Sequence, residues 1–422
     1  MRSRFAVPAL ASLLLACSTE TASSFKKSDG GTTNDAGFEE PVDSGLEIPQ
    51  GDGGTIASNT PIGTLKGTTY APDGTLELPG AVIYLSATLP TDEPRGAVCD
   101  TCVDLTGKVS SATSKIDGTF ELNVFAPGKQ YLVVEKGRFR RVREITLKAG
   151  ANVAPAESTT IAGANNPSVG DYAPKILVIP TSMSAYDNVH QTLSSLNFDF
   201  DELTDAAALT ALKSPTKLKD YAFIFLPCGT NDEGSCSSGN AFDPTVKSRL
   251  KDYVKSGGRL YVTDYAYEYV RQNWPNHIKW YNKDNSGTSS SSPTADQGLA
   301  CNFNATTRSG TWEDPGLKQW MGVVGNRTAG EDLEGIFTTI NSVSTVTGED
   351  PSGASVQITP KIWVKADGKP ATVTFPDKCG RVLFSTNHTE GGAGGGGLLA
   401  QEKAIVYTLL EVSTCINGNI DK

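Results

Sequence analysis

From residue 174 onward the chain alternates apolar runs with helix-like segments, which strongly limits the folds open to it. Buried-strand runs lie at 175–180, 222–226, 259–263, 361–364 and 381–385, and helices are predicted at 185–196, 244–256 and 398–412. Strands that are apolar on both faces and alternate with helices predict a parallel sheet covered by helices. This part of the chain is therefore expected to form a three-layer α/β domain of flavodoxin-like architecture.

Residues 61–155 follow a different pattern. Apolar and polar residues alternate with a period of two, as in Phe120 and Leu122 against Glu121, and Asp-Gly and Pro-Gly pairs separate the runs. This pattern predicts a small antiparallel β-sandwich. The fold class predicted for the chain is thus multidomain: a β-sandwich at 61–155, followed by an α/β domain with a parallel sheet at 172–422. A break in the rhythm at 273–347 predicts an insertion over one edge.

The first 60 residues contain two segments that are not expected to belong to either domain. Leu14-Leu-Ala-Cys17 ends an apolar run of about a dozen residues behind Arg2 and Arg4, too short for the ~20 residues of a membrane span. The run predicts a removable signal segment at 1–17. Residues 18–60, rich in Gly, Ser, Thr, Asp and Pro, predict a disordered tether.

The motif that ends at Cys17 resembles the bacterial lipoprotein signal. The resemblance implies that Cys17 becomes the lipidated N-terminus and anchors the protein in the cell envelope, and Ser18 implies sorting to the outer membrane. The expected location is the periplasmic face of that membrane or the cell surface.

Charge excludes one class of partner. Loss of residues 1–16 removes two arginines and no acid, so the formal charge falls from −10 to −12. Such an acidic chain is a poor ligand for nucleic acid. The expected partners are the membrane, through Cys17, and a carbohydrate or protein ligand, and no cofactor or resident metal is expected.

The remaining seven cysteines predict disulfides, which are the default outside the cytoplasm. The candidate pairs are Cys99 with Cys102, Cys228 with Cys236, and Cys379 with Cys415, which leaves Cys301 over. Cys99 and Cys102 form a single CxxC, whose alternatives are a redox motif or half of a zinc site. Spacing alone does not decide the connectivity.

One basic run, at 136–143, stands out against the acidic composition. It places Arg138, Arg140 and Arg143 on strand faces. A solvated strand face is the preferred interpretation, and contact with an anion or a charged glycan is the alternative.

Polar groups follow three of the predicted strands of the α/β domain. Cys228 follows the strand at 222–226, Asp264 and Glu268 follow the strand at 259–263, and His388 follows the strand at 381–385. Ligands of an open parallel sheet collect at the carboxyl ends of its strands, so this edge is the candidate site.

Motifs in the β-sandwich carry a family resemblance. Gly67-Thr-Thr-Tyr-Ala-Pro-Asp-Gly74, Leu78-Pro-Gly-Ala-Val82, Asp117-Gly-Thr-Phe-Glu-Leu122 and Ala126-Pro-Gly128 resemble the carboxypeptidase regulatory-like domain. The resemblance implies a β-sandwich that serves as a spacer or binding module and has no catalytic role.

The α/β domain resembles the class I glutamine amidotransferase-like fold, including its ThuA-like branch, in the segments 360–363 and 380–388. In that family a cysteine on a strand-to-helix elbow works with a His-x-Glu pair. His388-Thr-Glu390 matches the pair, and the elbow falls on 262–268, with Asp264 in place of the cysteine and Ala266 in place of a glycine. A carboxylate is a poor nucleophile for acyl transfer, so the resemblance implies a domain without its nucleophile.

Three function hypotheses follow. The preferred one is a membrane-anchored protein with a non-catalytic binding or scaffolding role, which predicts an open groove lined by Tyr265, Tyr267, Trp274 and Trp280. The alternative is a hydrolase or sugar-active enzyme that uses Asp264, His388 and Glu390. In the third, the β-sandwich recognises the ligand and the α/β domain is a passive platform.

Structural roles compete with catalysis at these same residues. Asp264 could cap the helix that follows it. His388 could be hydrogen-bonded to Glu390 for structural reasons alone.

Overall fold

A computed structural model describes residues 60–420 except 93, 100–104, 106–107, 181–186, 229–239, 282–305, 326–328, 337, 339, 390–397, 412–414 and 417–418.

The first part of the described chain is a β-sandwich. Its elements are β1 (Gly63–Thr68), β2 (Val82–Ser86), β3 (Ser110–Thr113), β4 (Thr119–Val124), β5 (Gly128–Lys136), β6 (Phe139–Leu147), β7 (Gly150–Val153), α1 (Ala156–Thr159) and β8 (Asp171–Tyr172). One sheet has the order β4-β1-β7 and the other β3-β2-β5-β6-β8. All of these pairs are antiparallel except β1 with β7. Phe120 and Leu122 of β4 are buried and Glu121 is exposed, so the predicted alternation is confirmed.

The second part is an α/β fold. It begins with β9 (Ile176–Val178), α2 (Val189–Ser195), β10 (Asp201–Glu202), α3 (Asp205–Lys213), β11 (Phe223–Leu226), α4 (Pro244–Lys255), β12 (Arg259–Thr263) and α5 (Glu268–Asn273). It continues with β13 (Ile278–Trp280), β14 (Thr306–Trp312), α6 (Pro315–Gly325), β15 (Asp332–Ile336), β16 (Ile340–Val343), β17 (Val346–Glu349) and β18 (Ser355–Ile358). It ends with β19 (Lys361–Ala366), β20 (Lys369–Asp377), β21 (Gly380–Ser385), α7 (Ala400–Glu411), β22 (Cys415–Ile416) and β23 (Asn419–Ile420).

One large sheet organises the α/β part, in the order β10-β9-β11-β12-β21-β20-β19-β14-β15. The pairs from β10 to β21 are parallel, and those from β21 to β15 are antiparallel. The predicted parallel sheet is thus the core of a larger mixed sheet.

The sheet is covered on both faces, which gives three layers. Alternate strand residues belong to two separate apolar clusters, with Ile224 of β11 in one and Phe225 in the other. Residues of α3, α4 and α5 pack in the first cluster. Residues of α2, α6 and α7 pack in the second, together with the core of the β-sandwich.

Helix α4 illustrates how local sequence sets an element. Asp243 caps it, since its side chain accepts hydrogen bonds from the backbone N–H groups of Thr245 and Val246, and Pro244 occupies the first turn. The helix ends before Gly257, whose φ of +105° suits glycine. The predicted helix at 244–256 is confirmed within one residue.

The segment predicted as an insertion extends the sheet. Strands β14 and β15 lie inside 273–347 and form the outermost positions of the large sheet. Strand β20, between the two predicted closing strands, was also missed. Its antiparallel pairing with β19 and β21 is visible only once the chain is folded.

The β-sandwich is fastened to the α/β part by several contacts. The ring centroid of Phe139 in β6 lies 5.1 Å from that of Phe198, and the Lys136 ammonium lies 2.5 Å from the Glu411 carboxylate. A disulfide joins Cys99 to Cys379. This bond corrects the predicted Cys99–Cys102 and Cys379–Cys415 pairs, because folding brings together two cysteines that are 280 residues apart in sequence.

The basic run has a structural role, so the predicted solvated strand face is wrong. The Arg138 guanidinium donates to the backbone carbonyls of Gly96 and Pro94. Arg140 is buried, donates to the carbonyl of Thr91 and lies over the Tyr172 ring. These arginines hold the segment that leads to Cys99 against the sandwich.

None of the helices in the described part of the chain combines the length and the apolar composition that crossing a bilayer requires.

Candidate functional site

Three side chains meet at the carboxyl edge of the parallel strands. Cys228 follows β11, Asp264 follows β12 and His388 follows β21, and these three strands are neighbours in the sheet. His388 Nε2 lies 2.8 Å from Asp264 Oδ2. The sulfur, a carboxylate oxygen and an imidazole nitrogen of the three residues all lie within 4.8 Å of one another. We call these three residues the Cys–Asp–His cluster.

Asp264 occupies a strained strand-to-helix elbow. It lies between β12 and the 3-10 turn at Asp264–Tyr267, and its φ is +40°. A non-glycine residue in this region costs about 1–3 kcal/mol and persists only where its surroundings hold it. The elbow turns the Asp264 side chain towards His388, and the N-cap position of the 3-10 turn is Thr263. Asp264 therefore does not occupy the capping position predicted for it.

The cluster is held in an ion-paired state. Burial acts to lower the pKa of His388, but hydrogen bonds to Asp264 and Cys228 outweigh it and raise that pKa to about 12. Burial raises the pKa of the Cys228 thiol to about 11, the charges of Asp264 and Asp187 add to that rise, and the hydrogen bond to His388 opposes it. These shifts favour a charged imidazole beside Asp264 and a protonated thiol.

A fourth buried residue, Asp187, connects the three strand ends. One carboxylate oxygen accepts from the Thr263 hydroxyl and, at 3.4 Å, from the backbone N–H of Cys228. That N–H donates at 2.8 Å to the Thr263 hydroxyl oxygen as well. The other accepts from the hydroxyl of Thr389 and, at 3.0 Å, from its backbone N–H. Thr263 precedes Asp264 and Thr389 follows His388, so Asp187 holds the backbone beside every member of the cluster.

The cluster is covered by neighbouring elements. Gly335 of β15, with φ +63°, lies so close to His388 that a Cβ there would be 2.9 Å from the His388 Cβ. The Gln401 amide of α7 donates to the His388 carbonyl, and its oxygen accepts from the N–H of Glu334 at 2.7 Å. The exposed fractions of Cys228, Asp264 and His388 are 2%, 0% and 3%.

The structure brings together two of the three predicted catalytic residues. Asp264 and His388 are in contact, whereas Glu390 lies outside the described residues. Cys228 is a free, buried thiol beside them, which corrects its predicted pairing with Cys236. The sequence signal for Cys228 was its position at the end of a predicted strand. The sequence analysis did not identify Asp187 as a site residue, because it lies in a stretch predicted to be helical.

The sequence analysis also made predictions for four other cysteines and for four aromatic residues. Cys17, Cys102, Cys236 and Cys301 lie outside the described residues. Of the four aromatic residues expected to line an open groove, Tyr265 is half-buried, and Tyr267, Trp274 and Trp280 are buried in one apolar cluster. The predicted groove is therefore wrong, because these rings pack in the core.

No known protein family matches the sequence, and no curated protein matches it. Among solved structures, the chain is similar to the cytoplasmic protein STM3548 from Salmonella typhimurium, with 12% identity and a TM-score of 0.32 over 56% of this chain and 97% of that one. Cytoplasmic protein STM1381 from Salmonella typhimurium LT2 gives 12% identity and a TM-score of 0.33, over 56% and 99%. A β-galactosidase from Bacillus circulans sp. alkalophilus gives 9% and 0.31, over 56% of this chain and 30% of that one. Similarity at this level says nothing about activity.

Replacement of Asp187 should destabilise the fold. In Asp187→Asn, one of the two acceptor oxygens becomes an NH2 group that faces N–H and O–H donors, so we expect the free energy of unfolding to fall by about 2–4 kcal/mol. Denaturant unfolding measures the loss. The matched control is Asp199→Asn at an exposed position, where the change should stay within about 0.5 kcal/mol. Equal effects of the two variants would contradict the role of Asp187.

The His388 ion pair predicts a specific pH dependence. Folding raises the pKa of His388 from 6.5 to about 12, so its contribution to stability is complete below pH 6.5 and is lost as the pH rises towards 12. The difference in unfolding free energy between wild type and His388→Gln should therefore shrink from about pH 6 to about pH 10.

We expect His277 to show the opposite dependence of stability on pH. Burial lowers its pKa to about 4, so His277→Gln should change the pH profile only below about pH 6.5. For His388, the ion pair is ruled out if the difference in unfolding free energy between wild type and His388→Gln stays constant or increases with pH.

Proposed function

We propose that the protein is an extracytoplasmic lipoprotein, anchored through Cys17, whose α/β domain has a non-catalytic binding or scaffolding role. The observation that carries this proposal is the closure of the Cys–Asp–His cluster. β15 covers it through Gly335, and its three residues are at most 3% exposed. Among the described residues, β15 and α7 cover the His388 side of this edge.

The protonation state of the cluster supports the same conclusion. A general base must have a free nitrogen lone pair, whereas the raised pKa of His388 favours an imidazolium paired with Asp264. A cysteine nucleophile must be a thiolate, and the pKa of Cys228 is raised to about 11. Neither group is prepared for acyl transfer at neutral pH.

Sequence motifs support the remaining parts of the proposal. The similarity of 61–155 to the carboxypeptidase regulatory-like domain favours a non-catalytic spacer. The strained elbow at Asp264 agrees with the amidotransferase-like resemblance and with a domain that has lost its nucleophile. A tether over 18–60, with a coil dimension of about 35 Å, would hold both domains away from an outer-membrane anchor. The ligand class that fits such a module is a carbohydrate or a protein.

The rival function is a hydrolase or sugar-active enzyme that uses Asp264 and His388, with Glu390. One observation favours it: the 2.8 Å contact between His388 and Asp264 at a sheet edge where active sites commonly form. In this version Cys228 would be the nucleophile, His388 its base and Asp264 the group that orients the imidazole.

Thiol reactivity separates the two functions. We expect iodoacetamide at neutral pH to leave Cys228 of the native protein unmodified and to label it after unfolding, with peptide mapping to identify the residue. The reason is that a buried thiol with a raised pKa carries little thiolate. Rapid native labelling of Cys228 that is lost in His388→Gln would overturn the non-catalytic proposal and support the enzyme.

A separate experiment tests whether Cys17 is lipidated. Wild-type protein expressed with its own first 17 residues should partition into the detergent phase of a cloud-point separation, because acyl chains on Cys17 carry it there. Cys17→Ser should move it to the aqueous phase. Detergent partition that persists in Cys17→Ser would contradict lipidation at this residue.

A further inference from the structure

We propose that the Cys–Asp–His cluster is a binding site for a zinc-type divalent cation, with Cys228, Asp264 and His388 as the protein ligands. This inference goes beyond the proposed function, and the non-catalytic role does not depend on it. It rests on the donor set, on the spacing of the donors and on the rigidity of their support.

The donor set selects the class of metal. The three residues offer one sulfur, one imidazole nitrogen and one carboxylate oxygen. Thiolate and imidazole are preferred by zinc and related transition metals, whereas calcium and magnesium require oxygen ligands. Three protein ligands leave the fourth tetrahedral position for water or for the second oxygen of Asp264.

The spacing fits a tetrahedral ion with small adjustments. Bond lengths of about 2.0–2.3 Å to zinc place neighbouring donor atoms about 3.3–3.6 Å apart. The donors now lie within 4.8 Å of one another, and the Asp264–His388 contact is 2.8 Å. Side-chain shifts of about 1 Å would therefore admit the ion between the three groups.

The fold holds the three ligand residues in place. Each ligand stands at the end of a different strand of one sheet, and Asp187 fixes the neighbouring backbone at Cys228, Thr263 and Thr389. Outer-shell hydrogen bonds of this kind orient metal ligands and are typical of metal sites in proteins. The fold thus places the ligands before the ion binds, and binding of the ion displaces the protons of the Cys228 thiol and the His388 imidazole.

Cobalt titration of the full chain, purified in detergent and stripped with a chelator, tests the site directly. We expect one equivalent of Co²⁺ to bind, with a thiolate-to-metal charge-transfer band and the visible spectrum of tetrahedral cobalt, and Zn²⁺ to displace it. Zn²⁺ should also raise the melting temperature, while Mg²⁺ should not.

Variants assign the signal to residues. Cys228→Ser should abolish the charge-transfer band, and Asp264→Asn and His388→Gln should weaken binding by more than about 100-fold. Cys236→Ser and Cys301→Ser are the matched thiol controls and should keep the band.

Several results would overturn the proposal. They are the absence of stoichiometric binding to the wild type, a cobalt spectrum without a thiolate band, and loss of the band in a control variant instead of Cys228→Ser. The first two are read on the wild-type protein, so they hold even if a cluster variant fails to fold.

Discussion

The buried carboxylate of Asp187 is the interaction on which the candidate site depends. Three parallel strands end side by side, and Asp187 contacts residues at the end of each. Asp187 accepts from the N–H of Cys228, the hydroxyl of Thr263 and both donors of Thr389. Since charge-assisted hydrogen bonds are stronger than neutral ones, one side chain can hold three strand ends together.

The same constraint explains the geometry of the Cys–Asp–His cluster. With the strand ends fixed, Asp264 is held at the elbow against His388, and its hydrogen bond raises the His388 pKa although burial acts to lower it. Gly335 then allows β15 to close over the imidazole. The arrangement makes a sheet edge that commonly hosts chemistry part of the interior, and the proposed binding or scaffolding role rests on this closure.

Local pattern was sufficient to predict the parallel strands and the edge at which they end. Asp264 and His388 could be placed together because carboxyl ends of parallel strands share one edge. Cys228 was assigned to a disulfide because spacing along the chain hides the strand order that brings its sulfur to His388. The burial of Trp280 and the closure by Gly335 depend on strands β13 and β15, whose partners are remote in sequence, so no local pattern contains them.

Amide hydrogen exchange at Cys228 and Thr389 tests the central claim most directly. The Thr389 N–H donates to Asp187, and the Cys228 N–H donates to Asp187 and to the Thr263 hydroxyl that Asp187 holds. If Asp187 unites the strand ends, these two amides exchange only through global unfolding, at the rate of core amides in β12, and become much faster in Asp187→Asn. If instead they exchange rapidly in the wild type while β12 stays protected, the strand ends open locally and the account is contradicted.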